Sequence, residues 1–220
     1  AILADIGFDE DYESSNWSYG CGSSTGWSVE DSALTRNITT GPPSCAIYGA
    51  AGSSNEDQWF GADFRVDAWS DLAQKPRVGL VGRWVDDDHY IVARLEPAEG
   101  FARIIIKHPQ IGSNGWETIA KSNDFDALKV LEGKINASGE LDPIQSRISL
   151  DIDGQTIRLW LGEGDDRRLI AAGLDSFIWD DDAGAYVHDT EGVGTQLSSA
   201  GSVGLFTRRQ NIQFDNFELR

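Results

Sequence analysis

The feature that most constrains this chain is alternation. Runs of apolar and polar residues with a period of two recur along its length, separated by clusters of Gly, Asn, Asp and Pro, and a helical period is nearly absent. The stretch from Ser146 to Leu161, SRISLDIDGQTIRLWL, shows the rule. Ile148, Leu150 and Ile152 fall on one side and Arg147, Ser149 and Asp151 on the other; after Asp153-Gly154, Ile157, Leu159 and Leu161 alternate with Arg158 and Trp160. Successive side chains of a strand point to opposite faces, so the stretch reads as two strands joined by an Asp-Gly hairpin turn. The same reading predicts strands over 3–8, 26–30, 45–49, 57–67, 77–85, 89–96, 101–108, 115–120, 145–153, 155–162, 168–172, 202–208 and 211–219. Thirteen short strands with turn signals between them fit an all-β, two-sheet antiparallel sandwich of the jelly-roll kind.

No composition shift or Pro-rich linker divides the 220 residues, so one domain over 1–220 is expected. The segment over 122–134 reads either as a short helix or as a link. The stretch over 175–199 reads as a loop, too long for an idle connection. Lys and Arg number 18 against 36 Asp and Glu, a formal charge of −18 that repels nucleic acid and anionic membrane surfaces. No apolar run reaches the roughly 18 residues of a membrane span. A start at Ala1, with no Met anywhere and no charged-then-apolar leader, reads as a processed chain or an excised domain. Cys21 and Cys45 lie among Gly, Ser and Pro, a setting that suits a bridge and an oxidising, secreted context; two reduced thiols are the alternative.

Parity then sorts the strand residues. Over 57–67, Phe60, Ala62, Phe64 and Val66 face the core, leaving Trp59, Asp63 and Arg65 outside. Val78, Leu80 and Trp84 are expected inside, with Arg77 and Arg83 outside; past Asp86-Asp87-Asp88, His89, Ile91, Ala93 and Leu95 are inside, and Tyr90, Val92, Arg94 and Glu96 outside. Arg103, Lys107, Arg147, Arg158 and Trp160 complete the outward set. Eight of only 18 basic residues collect there with three aromatic rings. Rings offer flat surfaces to sugar C–H faces, and Arg offers a planar fork to carboxylate or sulfate, so such a face suits an acidic polysaccharide. The bland alternative is a set of cross-strand ion pairs with Asp63, Glu96 and Asp151.

Three segments carry a resemblance: the opening IGFDEDYESSNWSYGCGSSTGWSVEDSAL, the central VGLVGRWVDDDHYIVARLE followed by FARIIIK, and the closing SVGLFTRRQNIQFDNFELR. Together they resemble the concanavalin A-like, laminin-G-like jelly-roll superfamily. The resemblance implies that the closing strand pairs beside the opening one, and it brings in carbohydrate-binding modules, polysaccharide lyases, glycoside hydrolases and adhesion modules. It also implies a structural calcium bridging the chain ends, which carried over falls on Asp9, Asp57 and Asp215. The paired-carboxylate strand of the retaining hydrolases, Glu-x-Asp-x-x-Glu in kind, is missing, as are the Arg-x-Glu-Leu and Gln-Ile-His strands common among lyases of this group.

Were the face catalytic, β-elimination on a uronate polymer is the chemistry its residue types fit, with Arg83, Tyr90 and Arg94 as catalytic candidates; Trp59, Arg65, Arg103, Lys107, Arg158 and Trp160 would bind substrate. A second cation loop is conceivable at Asp180, Asp182 and Glu191, where the sixth place is Ala185 instead of the required Gly. The expectation is therefore a secreted β-sandwich that binds an acidic polysaccharide, with a lyase or hydrolase and a calcium-stabilised adhesion module as rivals.

Overall fold

A computed structural model of the protein describes residues 4–8, 14–49, 55–67, 72–112, 114–122 and 144–220. All thirteen expected strands form, and four more join them. In chain order they are β1 (Ala4–Ile6), β2 (Trp17–Gly20), β3 (Trp27–Glu30), β4 (Ala33–Arg36), β5 (Ser44–Tyr48), β6 (Gln58–Val66), β7 (Arg77–Asp86), β8 (His89–Glu96) and β9 (Phe101–Lys107). Then follow β10 (Trp116–Ser122), β11 (Ile144–Asp153), β12 (Thr156–Leu161), β13 (Arg168–Leu174), β14 (Phe177–Asp180), β15 (Ala185–His188), β16 (Ser202–Arg208) and β17 (Ile212–Leu219).

Two antiparallel sheets build the sandwich. One runs β13-β12-β11-β6-β17-β4-β3, with β1 also on β17; the other runs β10-β9-β8-β7-β16-β5-β2. Strand β17 serves two partners in succession, pairing Ile212–Phe214 with β4 and Phe217–Leu219 with β1, so the chain's first and last strands lie side by side. Asp153-Gly154 makes the expected hairpin: Gly154 adopts φ 55°, a conformation that favours glycine, and its N–H donates to Asp57 Oδ1 at 2.8 Å.

The inward side chains of both sheets interdigitate between them, with Phe60, Phe64, Leu80, Ile91, Ile104, Leu150, Leu159 and Phe214 fully buried. Each such side chain contributes about 1.5–3 kcal/mol on leaving water. Near the paired ends Trp17 packs against Phe8, Tyr48 and Phe217 at ring separations of 5.5, 5.3 and 5.3 Å. Cys21 and Cys45 are joined as a disulfide. No helix among the described residues is long and apolar enough to cross a membrane.

Three of the four unexpected strands, β4, β14 and β15, have local causes. Strand β4 lies between β3 and β17 with Ala33, Leu34, Thr35 and Arg36 all buried, so its sequence carries no alternation. The stretch read as a loop holds the β14–β15 hairpin. Asp180 Oδ1 accepts the N–H groups of Asp182 and Ala183 at 2.9 and 3.0 Å, which makes the supposed cation loop a hairpin turn. Most of the segment over 122–134 lies outside the described residues.

One parity reading is reversed. Against β16 the strand β7 carries one extra residue between Val81 and Trp84, the β7–β8 register slips between Gly82 and Asp86, and Arg83 takes φ 47° at the slip. A bulge adds one residue to a strand and so exchanges faces. Arg83 turns inward, fully buried, and Trp84 packs outside against Val81, Tyr90 and Val92.

Candidate functional site

The outward residues expected on one face divide between two opposite faces. Trp59, Arg65, Arg147, Arg158 and Trp160 lie on the outside of the sheet containing β6, β11 and β12, and there each arginine is occupied. Arg65 Nε donates to Asp67 at 2.5 Å, Arg147 to Asp63 at 3.0 Å and Glu218 at 3.2 Å, and Arg158 to Asp151 at 3.1 Å. The two indoles are covered by cations: Arg220 stands 4.3 Å from the Trp59 ring and Arg167 4.3 Å from that of Trp160. Neither ring is left as an open platform for a sugar, and this face matches the ion-pair alternative.

The outside of the seven-stranded sheet is built differently. Register places its side chains in rows across the strands. Trp116, Lys107 and Tyr90 form one row, and Thr118, Ile105, Val92, Val81, Gly204 and Ile47 the next. Arg103, Arg94, Gly79, Phe206 and Cys45 form the third; Glu96, Arg77 and Arg208 close the fourth. The arrangement leaves a cleft of about 440 Å³ lined by Pro43, Arg77, Arg94, Arg103, Ile105, Trp116, Thr118 and Arg208.

Gly79 makes the third row possible. A Cβ there would fall 2.2 Å from the Ala93 carbonyl oxygen and 2.7 Å from Arg94 Cβ, so only glycine lets Arg94 lie flat with its guanidinium 5.7 Å from the Phe206 ring centroid. Arg94 Nε donates to Glu96 Oε1 at 2.7 Å, and both groups are buried. Around this pair stand three more arginines. Arg77 Nη2 is 3.3 Å from Glu96 Oε2 and Arg103 Nε is 3.6 Å from Oε1, close enough for charge attraction, yet neither makes a hydrogen bond to Glu96. Arg208 has no ion pair among the described residues, and the Nε groups of Arg77, Arg103 and Arg208 are buried without partners.

Three arginines, Arg94, Arg77 and Arg103, thus share Glu96, with Arg208 next to Arg77 in register and Glu99 3.9 Å from Arg103 and 2.9 Å from Lys75. Burial pushes the Arg94 guanidinium down to about 10 against the pull of Glu96, and Arg77 pushes it further; Arg208 is lowered by burial and then by Arg77 and Arg209. Glu99 is held down at about 2, first by the Lys75 ammonium beside it. Cations that depress one another in this way are relieved by an incoming anion. At the other end of the cleft Tyr90 and Trp116 meet edge to face at 5.8 Å, with Lys107 over both rings.

The three catalytic candidates do not form a reactive group. Arg83 is inside the sandwich, where Nη1 meets Asp175 Oδ2 at 3.3 Å, Nε donates to the Glu56 carbonyl at 2.9 Å and Nη2 to that of Gly154 at 2.6 Å. The Tyr90 side chain is buried, and burial pushes its hydroxyl pKa well above the usual phenol value, opposing a proton shuttle. Arg94 is engaged with Glu96. Of the binding candidates, Arg103 and Lys107 reach the cleft region, although Lys107 also pairs with Asp88 at 2.8 Å.

Two of the calcium residues, Asp57 and Asp215, are not brought together. Asp215 lies opposite Asp63 in register, and Asp57 is six residues from Asp63, about 20 Å at roughly 3.3 Å per residue, whereas two oxygens bound to one calcium lie within about 5 Å of each other. Asp9 lies outside the described residues, and no group of three His, Cys, Asp or Glu among the described residues is placed to hold a metal.

Sequence reasoning missed Arg208, Trp116 and Pro43 as cleft residues. Parity held a signal for two of them: Arg208 alternates with Thr207 at the end of β16, and Trp116 with Glu117 at the start of β10.

No known family pattern matches the chain, and no curated protein matches it in sequence. Solved structures do share its fold. A protein of unknown function with a galectin-like fold from Bacillus subtilis is 10% identical, over 100% of this chain and 96% of that one, with a TM-score of 0.61. The carbohydrate-binding module CBM66 from the same organism is 13% identical, over 92% and 93%, with a TM-score of 0.56. The GH43 protein BlXynB from Bacillus licheniformis is 15% identical, over 98% of this chain but only 38% of that one, with a TM-score of 0.54. At such identities the likeness establishes the β-sandwich fold alone.

Proposed function

We propose that the chain is a secreted carbohydrate-binding β-sandwich that takes an acidic polysaccharide on the outer face of its seven-stranded sheet. One observation carries the reading: in a protein of formal charge −18, Arg77, Arg103 and Arg208 line one cleft with none of them hydrogen-bonded to a carboxylate, and Trp116, 38% exposed with Lys107 5.3 Å from its ring, borders the same cleft. On the opposite face Arg65, Arg147 and Arg158 are spent on ion pairs, and Arg167 lies over the Trp160 ring. The fold shared with a carbohydrate-binding module supports the carbohydrate, the arginines support the anionic character, and the disulfide supports an oxidising location. A module joined to a larger protein, as in the GH43 likeness, fits the same face.

No arrangement in the described residues favours elimination over binding, because the Tyr90 hydroxyl is buried and Arg83 is inaccessible. The reading is tested by affinity electrophoresis against alginate, polygalacturonate, ulvan, sulfated galactans, xylan and neutral β-glucans, with ultraviolet absorbance of an unsaturated uronate followed in parallel. Retention by acidic polymers that weakens with salt, without a rise in absorbance, is the expected result. Retention by neutral glucans alone would overturn the acidic reading, and an absorbance rise would make the protein a lyase.

A further inference from the structure

The geometry of the arginine cluster points to a particular anion: we propose that the cleft recognises a sulfate ester of the polysaccharide in preference to a uronic acid carboxylate. The inference rests on the binding reading above. Arg103, Arg77 and Arg208 come from three different strands, β9, β7 and β16, with the Arg94–Glu96 pair of β8 as the floor between the first two. All three line the same cleft.

A carboxylate presents two oxygens in one plane and is satisfied by a single planar fork meeting it edge to edge. On the opposite face each arginine is satisfied by one or two carboxylates, through one hydrogen bond to each. A sulfate ester presents three oxygens that diverge from sulfur, so it needs donors spread around it. Three arginines held apart by separate strands supply them. Glu96 Oε1 already accepts from Arg94 Nε at 2.7 Å, and the carboxylate's attraction for Arg77 and Arg103, at 3.3 and 3.6 Å, orients those side chains without using their hydrogen bonds. Glu96 is thus a positioning residue for the upper tier. The donors left over match a group with one more oxygen than a carboxylate has.

Trp116 and Thr118 flank the cleft on the β10 side, and the apolar Ile105 between them and the arginines offers no charge. A sulfated ring can therefore set its ester on the arginines while a neighbouring neutral ring lies against Trp116.

The test compares a sulfated galactan, the same galactan after chemical desulfation, and polygalacturonate, by isothermal titration at one fixed ionic strength. The expected order is tight binding to the sulfated polymer, loss on desulfation and weaker binding to polygalacturonate. Arg208→Gln should weaken the sulfated galactan by about 10- to 100-fold, the loss of a hydrogen bond to a charged group, with an unchanged melting temperature. Sodium sulfate should compete the polymer off at concentrations where acetate of equal ionic strength does not. Polygalacturonate bound as tightly as the sulfated galactan would overturn the sulfate assignment while leaving the acidic reading intact; binding to none of the three would overturn both.

Discussion

Removing Arg83 should damage the fold and leave the ligand face alone. Its guanidinium and the Asp175 carboxylate are both fully buried, and they knit together parts far apart in sequence. Arg83 holds the carbonyls of Glu56 and Gly154, while Asp175 accepts the N–H groups of Leu197 and Ser198 at 3.1 Å each and the Ser198 hydroxyl. Arg83→Met leaves the Asp175 charge uncompensated in the interior, a change that costs about 3–5 kcal/mol. At about 2–4 °C per kcal/mol for a chain of this length, the melting temperature should fall by roughly 6–20 °C. Replacing both partners, Arg83→Met with Asp175→Leu, removes the stranded charge, so the double variant should melt above Arg83→Met alone. Circular dichroism melts of the three variants, with glycan retention measured well below each melting temperature, provide the assay. A shift under about 2 °C for Arg83→Met, accompanied by lost retention, would refute the reasoning and return Arg83 to the ligand site.

Gly79→Ala should be destabilising by about 1–3 kcal/mol and should weaken glycan binding too, because the added methyl meets the Ala93 carbonyl and the base of Arg94; a neutral outcome in both melting and titration would contradict the packing. The Glu99 carboxylate, depressed to about 2, lends stability above its ordinary value near 4.5 that is lost as pH falls toward 2; Glu99→Gln should flatten the acid limb of the melting curve over that window and tighten acidic glycan binding. Reducing the Cys21–Cys45 bridge, which closes a separation of 24 residues, should cost about 2–4 kcal/mol by thermal melt. Trp160→Phe should leave retention unchanged, since Arg167 covers the ring; a loss would move the ligand to the opposite face.

The architecture was legible because alternation and turn chemistry report directly on strands. Phe60, Ala62, Phe64 and Val66 face the core as parity required, and the Asp-Gly turn closes where it should. The site was less legible for two physical reasons. Parity gives a side but not a sheet: Arg158 and Arg103 both read outward, yet they stand on opposite surfaces with opposite fates, one paired to Asp151 and the other left with free donors. A single bulge then exchanges faces without a sequence mark, which moved Arg83 inward and Trp84 outward. Strand β4 escaped because a segment buried on both faces has nothing to alternate against. Calcium was carried by resemblance, and the pairing register holds Asp57 and Asp215 apart.

The central claim, that the ligand sits on the seven-stranded face and not on its opposite, is met most directly by one paired titration. Arg77→Gln and Arg208→Gln are compared with Arg147→Gln and Arg158→Gln against the same acidic polysaccharide, at one salt concentration and with melting temperatures recorded. The account predicts a loss of affinity for the first pair and wild-type affinity for the second; the reverse pattern, or equal small losses in all four, would contradict it.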